Sequence, residues 1–144
     1  GGETNLGVTK RVYLEHGGTK NMKDLLVEDV APIYKKGYWD KMKGDELPNG
    51  LDLCVFDFGV NAGPGRSAKF LQRMIGTVAD GGIGPNTLKK LGEYVEKHGI
   101  GQSIENFQGA RQTYYENLST FATFGKGWTR RVDETTELAV SMIS

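Results

Sequence analysis

Residues 51–72, LDLCVFDFGVNAGPGRSAKFLQ, constrain the fold more than any other stretch of this chain. The first half is apolar at Leu51, Leu53, Cys54, Val55, Phe56, Phe58 and Val60, so almost no face is left for water. A helix that is apolar all round belongs in the middle of a domain. A buried strand competes for so short a run, because periodicity alone does not separate the two. Helix is the reading adopted: Pro48 and Asn49 mark a start, and Gly63-Pro64 an end. Gly65-Arg66 then opens a second, amphipathic helix with Ala68, Phe70, Leu71 and Met74 on one side.

Asp57 stands inside the apolar run, with Asn61 one helical turn further on the same face. A carboxylate there finds hydrogen bonds or a cation, or it stays protonated. Two readings follow. Either Asp57 ties the central helix to a neighbouring backbone or arginine, or Asp57 and Asn61 line the floor of a cleft.

The remaining helices come from glycine and proline punctuation. Helices are expected over 9–16, closed by Gly17-Gly18, and over 27–37 with Val30, Ile33 and Tyr34 inward. Three more are expected over 85–98, with proline first, over 104–118, and over 126–143, where Trp128, Val132, Thr136, Ala139 and Ile143 repeat at helical spacing. Gly101, Gly125 and Gly127 are read as breaks between helices. No convincing alternating strand is found, so the expected fold is all-α. A boundary is expected at residue 76, ahead of the turn-rich TVADGGIGPNT segment, dividing 1–76 from 77–144.

Length and charge narrow the function. A chain of 144 residues makes one domain, or a domain with a small helical appendix. Eighteen basic and eighteen acidic residues cancel, which argues against nucleic-acid binding by bulk charge. No run is long and apolar enough to insert in a membrane. Cys54 is alone and sits among apolar residues, as a small core side chain does. His16 and His98 are isolated and no Cys/His spacing suits a metal, so no metal or cofactor is expected.

Four clusters are chemically suggestive. Gly2-Glu3-Thr4-Asn5 is a polar turn. Tyr38-Trp39-Asp40 puts aromatic faces beside a carboxylate, an arrangement suited to a sugar, or one that simply closes a core helix. Residues 80–87, DGGIGPNT, lack the length and terminal Glu of a calcium loop. Phe124 to Arg131 could meet anionic groups, or form a solvated face with one buried salt bridge. Among the carboxyls Glu3, Asp40, Asp45, Glu46 and Asp57, only Asp57 has surroundings that would raise its pKa by desolvation. Spacing forces no catalytic pair.

Three motifs carry a resemblance. The opening GGETNLGVT, then YKKGYWD at 34–40, then FDFGVNAGPGR at 56–66 closely resemble glycoside hydrolase family 108. These are phage and prophage endolysins with N-acetylmuramidase activity on a lysozyme-like fold. Residues 80–87 and 114–132 resemble the family's C-terminal peptidoglycan-binding region.

The resemblance implies a lysozyme-like core over 1–76, a wall-binding helical region over 77–144 packed on it, and bacterial peptidoglycan as substrate. It also implies a monomer made in a host cytoplasm that acts on the wall in the periplasm. The family's acid, a Glu in an E-G-G-Y motif, lies ahead of its GGETN-like stretch, so it is expected upstream of Gly1 and has no match here. A polypeptide beginning at Gly1 is therefore expected to bind wall with little turnover. By analogy with phage-type lysozymes, Thr4 positions the attacking water, while Asn5, Tyr38, Trp39, Asp57 and Asn61 contact substrate. A lytic transglycosylase and a non-catalytic wall-binding module are the alternatives.

Overall fold

In the computed structural model, which describes residues 4–5 and 8–143, the apolar run is a helix around which the larger part of the chain is arranged. This helix, α3, spans Leu51–Ala62. Leu51, Cys54, Val55 and Phe58 are each 0% exposed, and their i, i+3, i+4, i+7 spacing is that of one helical face. Helices α4 (Pro64–Ile75), α6 (Ile100–Glu116) and α7 (Phe121–Ser141) pack directly on it, and α5 (Pro85–His98) packs on α4 and α6. Leu71, Leu91, Ile104, Phe107, Val132 and Ala139 meet the α3 face in one hydrophobic cluster. That cluster runs across residue 76, so the two expected regions share a core.

The N-terminal part is built separately. Two short strands, β1 (Thr4–Asn5) and β2 (Val8–Thr9), pair antiparallel with Thr4 opposite Thr9 and Asn5 opposite Val8. Helix α1 (Lys10–Glu15) follows, capped by the Thr9 hydroxyl, which accepts from the Val12 amide at 3.3 Å. Helix α2 spans Val27–Tyr34. Val8, Tyr13, Met22, Leu25 and Ile33 form a second cluster that, among the described residues, shares none with the first. Its pin is Tyr13, whose buried hydroxyl accepts from the amides of Thr19 (3.2 Å) and Lys20 (3.0 Å). Gly18 passes so close that a Cβ there would sit 2.2 Å from the Tyr13 ring, so a side chain is excluded at that position.

The structure corrects several expectations. The helix expected over 27–37 ends at Tyr34 and continues as a π-helical turn, Lys35–Trp39. Pro32 lies inside it, lacking the N–H that a regular ladder uses. Ile33 is buried as expected, whereas the side chains of Val30 and Tyr34 lie outside the described residues. The β1–β2 pair was not anticipated, because two-residue strands are too short to show alternation. Gly101, Gly125 and Gly127 are not breaks; they lie within α6 and α7. At Gly125 a Cβ would collide with the Phe121 ring at 2.6 Å, and at Gly101 it would touch Ile143 at 3.7 Å. At these two positions the missing side chain serves close packing.

Candidate functional site

A hollow of ≈ 350 Å³ lies where the N-terminal part meets the helical body. Val8, Thr9, Val12, His16 and Ile33 line it together with Gly37, Tyr38, Lys41 and Pro64. The walls have local causes. The cap at Thr9 starts α1 so that Thr9, Val12 and His16 fall on one face, three and four residues apart. The His16 ring lies back along the helix, with Nδ1 3.0 Å from the Val12 carbonyl. The π turn after α2 carries Gly37 and Tyr38 into the lining. Pro64 sits at the first position of α4, where its fixed φ suits a helix start.

The expected site residues do not all meet here. Tyr38 lines the hollow. Thr4 is placed through its backbone, directly across the ladder from Thr9; its side chain, and Gly2 and Glu3 altogether, lie outside the described residues. Asn5 is close by, but its Nδ2 donates to the Met22 carbonyl at 2.6 Å, which fastens β1 to the turn of 3-10 helix at Met22–Asp24. Trp39 faces elsewhere. It packs edge-on to Phe56 with centroids 5.5 Å apart and donates from Nε1 to Asp45 Oδ1 at 2.8 Å. That geometry matches the alternative in which the aromatic closes a core helix. Asn61 is exposed near the end of α3 and is not part of the lining.

Asp57 takes the first of its two readings. The residue is 5% exposed, and its carboxylate joins three helices. Oδ2 accepts from Arg111 Nη2 of α6 at 2.6 Å, and Oδ1 accepts from Arg131 Nε of α7 at 3.0 Å. Burial pushes its pKa up, as the sequence suggested. The Arg131 hydrogen bonds, the Arg111 charge and the Arg111 hydrogen bond outweigh burial and hold the carboxyl below the usual range. Asp57 is therefore a structural anion, neither a proton donor nor a wall of the hollow. The cluster from Phe124 to Arg131 resolves the same way. Arg131 makes this ion pair, Arg130 pairs at the surface with Glu134, and Trp128 stacks on Tyr115 at 5.2 Å.

The glycine loop at 80–87 is held from within the protein. The two N–H groups of buried Gln72 Nε2 are shared among Asp80 Oδ1 (2.9 Å), the Gly82 carbonyl (3.0 Å) and Thr87 Oγ1 (3.1 Å), and its Oε1 accepts from the Gly81 amide. These bonds satisfy the turn without a ligand. Among the described residues no group of three His, Cys, Asp or Glu side chains could hold a metal ion. None of their helices is long and apolar enough to cross a membrane.

Cys54 is 0% exposed, and burial pushes its thiol up to about 12. Thiolate is the reactive form, so the folded protein is predicted to resist iodoacetamide at pH 8 while the urea-unfolded chain is alkylated within minutes. Intact-mass analysis reads both states, and rapid labelling of the folded chain would show Cys54 to be accessible.

Sequence reasoning found Tyr38 and missed Thr9, Val12, His16, Lys41 and Pro64. The Thr9–Val12–His16 spacing puts these three on one face of the expected first helix, but it does not separate a cleft wall from a packing face, since Val12 also packs on the N-terminal cluster.

Residues 1–63 match the family model described as Glycosyl hydrolase 108. No curated protein matches the chain significantly. Among solved structures it is similar to that of Brucella abortus SagA, with 35% sequence identity and a TM-score of 0.81. The match covers 96% of this chain and 80% of that one.

Proposed function

The chain belongs to the glycosyl hydrolase 108 family, which makes it a peptidoglycan hydrolase by family, and on that premise we propose that it acts as an endolysin-type N-acetylmuramidase. The bond cut is the β-1,4 linkage between N-acetylmuramic acid and N-acetylglucosamine. One observation supports this reading above the others. The ≈ 350 Å³ hollow lies at the junction between the β1–β2 part and the helical body, with Thr9 in its wall and Thr4 directly across the ladder from Thr9.

In this scheme the Glu that the family carries ahead of its GGETN-like stretch protonates the leaving oxygen. Thr4 holds the attacking water on the opposite face of the sugar. Tyr38, which lines the hollow, supplies the aromatic ring on which a sugar stacks in this scheme. Three of the candidate carboxyls are otherwise engaged: Asp57 by two arginines, Asp40 by Lys35, and Asp45 by Trp39. Helices α6 and α7 act in this reading as a buttress for α3, since Arg111 and Arg131 fasten both of them to it. The enzyme works as a monomer, is made in a host cytoplasm and meets its substrate at the wall.

The test is Thr4→Ala in the full-length protein. Release of reducing ends from purified sacculi is expected to fall ~100-fold, within the range for losing a positioned acid–base group, while sedimentation with sacculi stays unchanged. Activity within about 3-fold of the parent would take Thr4 out of the mechanism. Anhydro-muropeptide products would indicate a transglycosylase instead. Sacculus binding without any released ends would indicate a wall-binding module.

A further inference from the structure

Helix α4 carries a row of cations that the proposed chemistry does not use. Arg66, Lys69 and Arg73 are exposed at i, i+3 and i+7, so they stack along one face of the helix. With Ala62, Gly65 and Phe70 they line a hollow of ≈ 420 Å³. Among the described residues none of the three pairs with a carboxylate, whereas Arg11, Lys20, Lys35, Lys90, Arg111, Arg130 and Arg131 all do. In a chain of zero net charge, three unpaired cations in a row make a local positive field.

The two arginines are also held in place. Arg66 lies over the Tyr114 ring, with Cζ 4.9 Å from the centroid, and Nη1 donates to the Tyr114 hydroxyl at 2.5 Å. Arg73 lies over Phe70 at 5.6 Å. Stacking on rings fixes a guanidinium plane at little cost and leaves its edge N–H groups free to donate. Such an edge fits a carboxylate with two parallel hydrogen bonds.

We propose that the Arg66–Lys69–Arg73 row binds the carboxylates of the peptidoglycan stem peptide, the acidic peptide that hangs from muramic acid. Position and length favour this occupant. The row begins next to the candidate cleft: Pro64 lines the cleft, while Ala62 and Gly65 on either side of it line the cationic hollow. Seven residues of helix extend ~10 Å, the reach of about three extended peptide residues. A glycan strand in the cleft would therefore lay its acidic side chain along α4. This assignment rests on the peptidoglycan reading above.

The experiment separates the two. A free stem tetrapeptide, and the same peptide with its carboxyls amidated, are titrated into the full-length protein and into Arg66→Gln/Lys69→Gln/Arg73→Gln. The acidic peptide is expected to bind the parent, to lose at least ~10-fold in affinity for the triple variant, and to weaken in 0.5 M salt; the amidated peptide should bind neither. Lys69→Gln alone, which removes no ring contact, should lose a smaller part. Absent peptide binding, or equal affinity for parent and triple variant, would overturn the proposal. So would phosphatidylglycerol vesicles taking the row in place of the peptide. Peptide binding by a protein that releases no reducing ends from sacculi would leave the row standing and remove the hydrolase reading.

Discussion

Asp57→Ala lowers the stability of the folded protein by ~3–5 kcal/mol, the range for removing one partner of a buried ion pair, and its melting temperature by about 10 °C at this chain length. The effect is large because of what remains behind. Arg111 is 0% exposed, and a guanidinium cannot shed its proton to escape a dry site. The same substitution unties α3 from α6 and α7 together, since Asp57 accepts from Arg111 on one helix and Arg131 on the other. Arg131 can turn its half-exposed side chain to water, so Arg111 carries most of the penalty.

The contribution also has a pH signature. The Asp57 pKa is lower folded than unfolded, so its stabilisation is present above the unfolded value, about 3.9. It fades as pH falls through the folded one. Chemical denaturation at pH 7 and at stepwise lower pH checks both parts. The gap between parent and Asp57→Ala should narrow only in strong acid. A difference below about 1 kcal/mol at pH 7 would show that Arg111 finds other partners.

Phe58→Ala is expected to cost ~3–5 kcal/mol as well, the usual range for emptying a phenylalanine from a core. Phe58 is 0% exposed, and four rings surround it edge-on: Phe70 at 5.1 Å, Tyr114 at 5.7 Å, Tyr115 at 5.9 Å and Phe107 at 6.1 Å. Edge contacts of this kind add to the burial itself. Arg111 lies over the same ring at 5.4 Å, so one arginine touches both residues. The double variant Asp57→Ala/Phe58→Ala should therefore lose less than the two single losses added together. Urea midpoints with a common slope would measure the coupling, and strict additivity would show that Arg111 does not link them.

How much of this was legible depends on range along the chain. Leu51 to Val60 leaves almost no face for water apart from Asp52 and Asp57, so its central place followed from the run itself, and its helical form from the Pro48-Asn49 and Gly63-Pro64 ends. The two fates of Asp57 could not be separated, because the deciding partners lie 54 and 74 residues away. Arg111 sits in the polar-looking run IENFQGARQTYY, which carries no mark of complete burial. The expected rise in the Asp57 pKa failed for that reason: desolvation was visible locally and the compensating cations were not. The three motifs pointed to the family that the comparisons support. The hollow itself is assembled from residues 8 to 64, and no local pattern announces a surface made by two separate packings.

Among the described residues the two hydrophobic clusters have no member in common, and this has a dynamic consequence. Val8, Tyr13, Met22, Leu25 and Ile33 form a small reservoir of buried area beside the one centred on α3, so the part carrying the β1–β2 pair can open at a lower free energy than the whole. Amide hydrogens of residues 8–33 should exchange in an earlier phase than those of 51–62. One jaw of the cleft would then breathe while the other stays shut, admitting a long polymer sideways rather than end first.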